Sequence, residues 1–104
     1  MFKSKLHKNL FSGKSQETSK HSARAFFEVE LPFAPFFGLT LFFGQGAYGR
    51  VEQVNWHVND GAFIVFCGNH YMDSDHPEHD LHDFEDYIAA ESDCGWQVSK
   101  VMTI

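Results

Sequence analysis

Residues 51–67 read VEQVNWHVNDGAFIVFC, and the step Asn59-Asp60-Gly61 in their middle decides how the rest of the chain is read. Asp-Gly between two runs of alternating apolar residues is a strong hairpin signal, because the favoured two-residue turn needs positive φ at both central positions. With Asp60-Gly61 as that turn, the predicted register sets Val58 against Phe63, Trp56 against Val65 and Val54 against Cys67. These six side chains share one face, the expected core face. Asn55 and His57 share the other with Ile64 and Phe66.

Downstream of the hairpin the pattern changes period. Asp75 is a good N-cap, Pro77 suits a first turn, and Glu78 stands three after the cap as in a capping box. Leu81, Phe84 and Ile88 recur at helical spacing and make the expected apolar stripe, and Gly95 stops the element. The spacing predicts a helix from about 76 to 92, followed by a strand over 96–104 in WQVSKVMTI.

Upstream, AFFEVEL places Ala25, Phe27, Val29 and Leu31 on one face of a strand, with Phe26, Glu28 and Glu30 on the other. Pro32 and Pro35 interrupt the run, and FFGLTLFF, residues 36–43, is apolar on both parities. The whole predicts a two-layer α+β domain. An antiparallel β-meander of about four strands spans 25–67, one helix follows, and a C-terminal strand completes the sheet, in the order β-β-β-β-α-β. Residues 25–104 form this single domain.

Residues 1–24 contain six Lys/Arg against the lone Glu17, are rich in Ser and lack a continuous apolar stretch. They read as a basic polar N-terminal tail. The remaining residues carry Arg50 and Lys100 against thirteen acids, within a formal net charge of -6. So acidic a body argues against nucleic acid as a partner, since phosphate binding needs a basic patch that displaces counterions. No stretch is long enough to cross a bilayer as a helix. Cys67 and Cys94 match no metal or redox spacing, and they read as reduced thiols of a cytoplasmic protein.

The chemically dense run is HYMDSDHPEHDLHDFED, residues 70–86, with four histidines and seven carboxylates in seventeen residues. On a wheel at about 100° per residue, His79, His82, Asp83 and Asp86 gather almost opposite the stripe. His79/Asp83 and His82/Asp86 are i, i+4 pairs, near enough to interact. They form a solvated face that can hold zinc or another divalent metal weakly, not an enclosed site. His57 and His70 are the better candidates for a built site, His70 because it opens the loop into the helix.

GQGAYGRV, residues 44–51, spells G-x-G-x-x-G-x-V, the pattern of a kinase phosphate loop. No Lys occurs between Arg24 and Lys100, and no catalytic-loop or metal-binding motif follows, so the glycines read as shaping a bent connection. No nucleophile–base set is spelled anywhere, and no catalytic residue is assigned.

Twelve phenylalanines, seven of them between Phe26 and Phe43, exceed what one small core needs. Phe26, Phe36 and Phe42 share the strand parity opposite the core and are the expected interface residues. A non-enzymatic binding module follows, which pairs with a second copy or takes a small hydrophobic ligand through this face. A divalent-metal protein is the alternative, and an acidic decoy that covers a basic protein is a second one.

Overall fold

The computed structural model describes residues 1–43, 48–72 and 80–103. Its main sheet has six strands: β1 (Phe2–Phe11), β2 (His21–Leu31), β5 (Gln53–His57), β6 (Ala62–Tyr71), β7 (Gln97–Val98) and β8 (Met102–Thr103). The order is β5-β6-β1-β2-β7, with β8 pairing on β2 beyond β7. A separate two-stranded ribbon joins β3 (Thr40–Phe42) to β4 (Tyr48–Arg50), and one helix among the described residues, α1, spans Asp80–Asp93. The molecule is mixed α and β, as expected. Its sheet, however, is not a meander.

The difference lies in residues 1–24. Far from forming a tail, Phe2–Phe11 is the middle strand, antiparallel to β2 from Phe2↔Leu31 to Phe11↔Ser22 and parallel to β6 from Ser4↔Phe63 to Phe11↔Tyr71. Alternation is present in FKSKLHKNLF once Lys8 is counted as an inward residue. Ser4, Leu6, Lys8 and Leu10 are buried, while Lys5, His7 and Asn9 line the other face. The Ser-rich link to β2 is a hydrogen-bonded turn. Ser12 Oγ accepts from the backbone N–H of His21 at 3.1 Å, Ser19 Oγ accepts from that of Gly13 at 2.9 Å, and Ser19 Oγ donates to the Ser15 carbonyl at 2.6 Å. Hydroxyls that satisfy the backbone make a compact loop from polar residues.

The face parity of AFFEVEL holds: Ala25 and Leu31 are buried, Phe27 and Val29 are half-buried, and Phe26, Glu28 and Glu30 are exposed. The hairpin keeps its expected faces but slips. Trp56 pairs with Phe63 and Val54 with Val65, so the turn holds Val58–Gly61 and closes with Gly61 N–H donating to the His57 carbonyl at 2.9 Å. The longer turn takes Val58 out of the core and leaves Trp56 exposed on an edge strand. Residues 36–43 yield only the short β3, and the expected last strand becomes the fragments β7 and β8, both on β2.

One face of the sheet carries the core. Leu6, Leu10, Ala23, Ala25, Val65 and Cys67 pack under Phe84 of α1, Trp96 and Val51. The proposed cap Asp75 and the residues Pro77 and Glu78 lie outside the described residues. Within α1 the buried stripe is Phe84, half-buried Tyr87 and Ile88, and Glu91; Leu81 is 47% exposed, contrary to its expected core role. Gly95 (φ +103°) ends the helix with paired bonds, Trp96 N–H to the Glu91 carbonyl at 3.2 Å and Gly95 N–H to the Ser92 carbonyl at 3.0 Å. This is a Schellman motif, and it turns Trp96 back onto the same core that Glu91 enters.

Candidate functional site

Two places in the fold concentrate side-chain chemistry. The first is inside. Lys8 has no exposed side-chain surface, and its Nζ donates to Glu91 Oε2 at 2.8 Å and lies 4.2 Å from the centroid of the Trp96 ring. The two ends of the helix-terminating motif thus clamp one ammonium, Glu91 by charge and Trp96 by its π face. A buried charge is tolerated only with such partners.

His70 flanks this pair. The bulge at Gly68 (φ +85°) shifts the strand's parity, so His70 stands opposite Leu10 on the helix-side face. Its Nε2–H donates to the Cys67 carbonyl at 3.0 Å. Burial first, then the Lys8 ammonium, holds the imidazole below its ordinary value, against the Cys67 hydrogen bond and the Glu91 and Glu52 carboxylates. Burial also pushes the Cys67 thiol up to about 11, so it is protonated and a poor nucleophile near neutral pH. The described part of this cluster offers a substrate neither a thiolate nor an exposed Lys8 atom. It is an anchor that fastens α1 to the middle strand.

The second place is the other face of the sheet, which neither α1 nor the β3–β4 ribbon covers. A groove of about 630 Å³ lies there, lined by Lys5, His7, Phe26, Glu28, Ile64 and Gln97 among others. The register explains its composition: on β1 and β2 Lys5 stands opposite Glu28 and His7 opposite Phe26, and β6 supplies Ile64 beside Lys5 and Phe66 beside His7. The His7 and Phe66 rings meet edge to face at 5.2 Å. Burial and, secondly, the Arg24 guanidinium hold the His7 imidazole below its ordinary value. The groove is therefore amphipathic: apolar side chains on the floor, one cation and one anion beside them.

The expected site residues do not come together. Phe26 lines the groove. Phe36 and Phe42 project elsewhere, from the loop after β2 and from β3, where Phe33 and Phe37 are also exposed. His57 sits on edge strand β5, its Nδ1 3.9 Å from Asp60, and pairs with Ala62 at the far end of β6. His70 is eight residues further along that strand, roughly 26 Å at about 3.3 Å per residue. His82 and Asp86 are strongly exposed and 3.8 Å apart, Asp83 is exposed beside them, and His79 lies outside the described residues. No group of three or more His, Cys, Asp or Glu side chains assembles among the described residues.

Cys67 and Cys94 are both reduced thiols and are not joined in a disulfide. Of the kinase-like glycines, Gly44 and Gly46 lie outside the described residues. Gly49 belongs to β4, where a Cβ would stand 3.1 Å from the Cys67 Cβ, so close packing accounts for that glycine. Sequence reasoning missed Lys5, His7 and Lys8 because it set their whole segment aside. The available signal was the alternation of Leu6 and Leu10 with Lys5, His7 and Asn9. Comparison with protein-family models, curated proteins and solved structures finds no match to this chain.

Proposed function

We propose that the chain is a non-enzymatic binding module that acts through exposed aromatic surface, with a second copy of itself as its first partner. The observation that carries this reading is the ten-residue segment 33–42. There Phe33, Phe36, Phe37 and Phe42 are 44%, 56%, 71% and 78% exposed, and the Phe33 and Phe36 rings approach to 6.3 Å. A fully buried phenylalanine contributes about 1.5–3 kcal/mol relative to an exposed one. Covering several of these rings across a two-fold axis is a strong drive to pair.

Static light scattering after size exclusion tests it. The wild type is expected as a dimer and the Phe36→Ser/Phe42→Ser variant as a monomer with the same circular dichroism. A wild type that stays monomeric at high micromolar concentration and binds no hydrophobic dye removes the proposal.

A second reading is favoured by the groove. Its apolar floor of Phe26 and Ile64 suits a small amphipathic ligand whose polar end meets Lys5 or Glu28. Phe26→Glu would abolish such binding while leaving light scattering unchanged.

A further inference from the structure

We infer that the outer edge of β2, over Phe27–Leu31, is a docking site for an extended segment of another protein in which cationic and apolar residues alternate, and that it excludes a second copy of this chain. β2 is eleven residues long; among the described residues its outer edge is taken at Ala25 and Phe26 by β7, at Arg24 by the backbone N–H of Ser99, and at His21 and Ser22 by β8. From Phe27 onward no described residue pairs with that edge, and Gly95, packed against the Phe27 ring, marks where the chain departs. A strand edge of this kind offers alternating N–H and C=O groups to an added strand. The edge opens directly into the groove, which Phe26, Phe27, Glu28, Gly95 and Gln97 all line.

The side chains decide what can be added. Glu28 and Glu30 are exposed on the groove face, while Phe27, Val29 and Leu31 point to the core face. Side chains alternate across a strand, so antiparallel pairing sets same-face residues opposite one another. A two-fold pairing of this edge with its own copy centred on Val29 sets Glu28 against Glu30. Centred on Glu28 or Glu30, it sets that glutamate against itself. Every face-preserving register centred from Glu28 to Glu30 therefore opposes two carboxylates, which is destabilising. Centred on Phe27 the copy runs into Phe26, which β7 already pairs, and centred on Leu31 it runs into Pro32, which has no N–H to give.

A partner strand with Lys or Arg opposite Glu28 and Glu30 has the reverse effect. On the inner side, β1 already places Lys5 opposite Glu28 and Lys3 opposite Glu30. An added basic strand completes two lysine–glutamate–cation rows across three strands. Its intervening residues fall beside Phe27, Val29 and Leu31, where apolar side chains fit. The occupant that charge and register together select is thus an extended basic–apolar segment.

The test uses the full chain carrying Phe36→Ser/Phe42→Ser, so that loss of aromatic association and failure of this edge are read separately. Three probes are titrated: a seven-residue peptide alternating Lys and Val, its Glu/Val counterpart, and the Lys/Val peptide N-methylated along one edge. The Lys/Val peptide is expected to bind and to protect the backbone amides of Glu28 and Glu30, the positions whose N–H groups face outward, in hydrogen exchange. N-methylation should weaken it at least tenfold, and Glu28→Lys/Glu30→Lys should reverse the preference toward the Glu/Val peptide. In the same background Glu28→Thr/Glu30→Thr should self-associate where the parent does not. Protection that maps to α1, equal affinity for the methylated peptide, or an unreversed preference would overturn the site; a Thr variant that remains monomeric would overturn the exclusion.

Discussion

Lys8 Nζ and Glu91 Oε2 meet at 2.8 Å although 83 residues separate them, and their bond joins the middle strand to the last turn of the helix. Removing either partner alone leaves the other's charge buried without its ion pair. Lys8→Met or Glu91→Leu is therefore expected to cost about 3–5 kcal/mol, the usual cost of orphaning a buried charge. The double variant restores an apolar interior of similar volume and should recover most of that loss. Urea denaturation of the four proteins closes the cycle, and simple additivity of the two single losses would show that the pair is not coupled.

Acid should loosen the same region through His70. Its folded-state value lies below the ordinary 6.5, with burial as the main cause and Lys8 as the next. The folded protein therefore binds fewer protons than the unfolded one, and stability falls as pH drops below about 6.5 until the folded value is passed. His7 has the same sign, from burial and Arg24. His70→Asn should flatten part of the stability-against-pH curve between pH 7 and 5. An unchanged slope would assign it to other groups.

The Cys67 thiol predicts the opposite limb. Raised from 9.0 to about 11, it contributes stability that is present below pH 9 and lost as pH climbs toward 11. At pH 8 the native protein should be alkylated at half-buried Cys94, with Cys67 reacting only after unfolding. Intact-mass measurement with and without denaturant counts the two thiols. Prompt double modification of the native protein would contradict the protected position.

What the sequence exposes and what it hides follow one physical division. Ala25, Phe27, Val29 and Leu31 declare their strand and its faces, because period-two alternation of apolar residues has a single structural meaning. The middle strand declares itself only in part, through Leu6 and Leu10 alternating with Lys5, His7 and Asn9. Its inward positions include Ser4 and Lys8, and Lys8 is buried against Glu91 and Trp96, partners that no local window contains. The hairpin faces were legible from parity, whereas the register was not. It turned on whether two or four residues form the turn, and Gly61 suits either. The aromatic surplus was legible as surplus, but its distribution between the groove, the β3 ribbon and the loop was set by pairing at long range. The groove itself was hidden, since Lys5, Leu6 and His7 of its lining come from the segment that looks like a tail.

The helix separates a solvated patch from a dedicated metal site. His82 and Asp86 are strongly exposed and 3.8 Å apart, and Asp83 faces solvent beside them. Exposed i, i+4 pairs contribute only about 0.2–0.5 kcal/mol each, so alanine at all three positions should leave the melt nearly unchanged. Phe84 is fully buried, and Phe84→Ala should cost about 3–5 kcal/mol, while Leu81→Ala should cost far less because Leu81 is already half in water. Zinc must order these side chains against solvent before it can bind, and tight sites use three or four converging protein ligands. Zinc titration by calorimetry should therefore show weak binding in the wild type and weaker binding in the three-alanine variant. Submicromolar zinc affinity that vanishes with those three residues would show a dedicated site on this face.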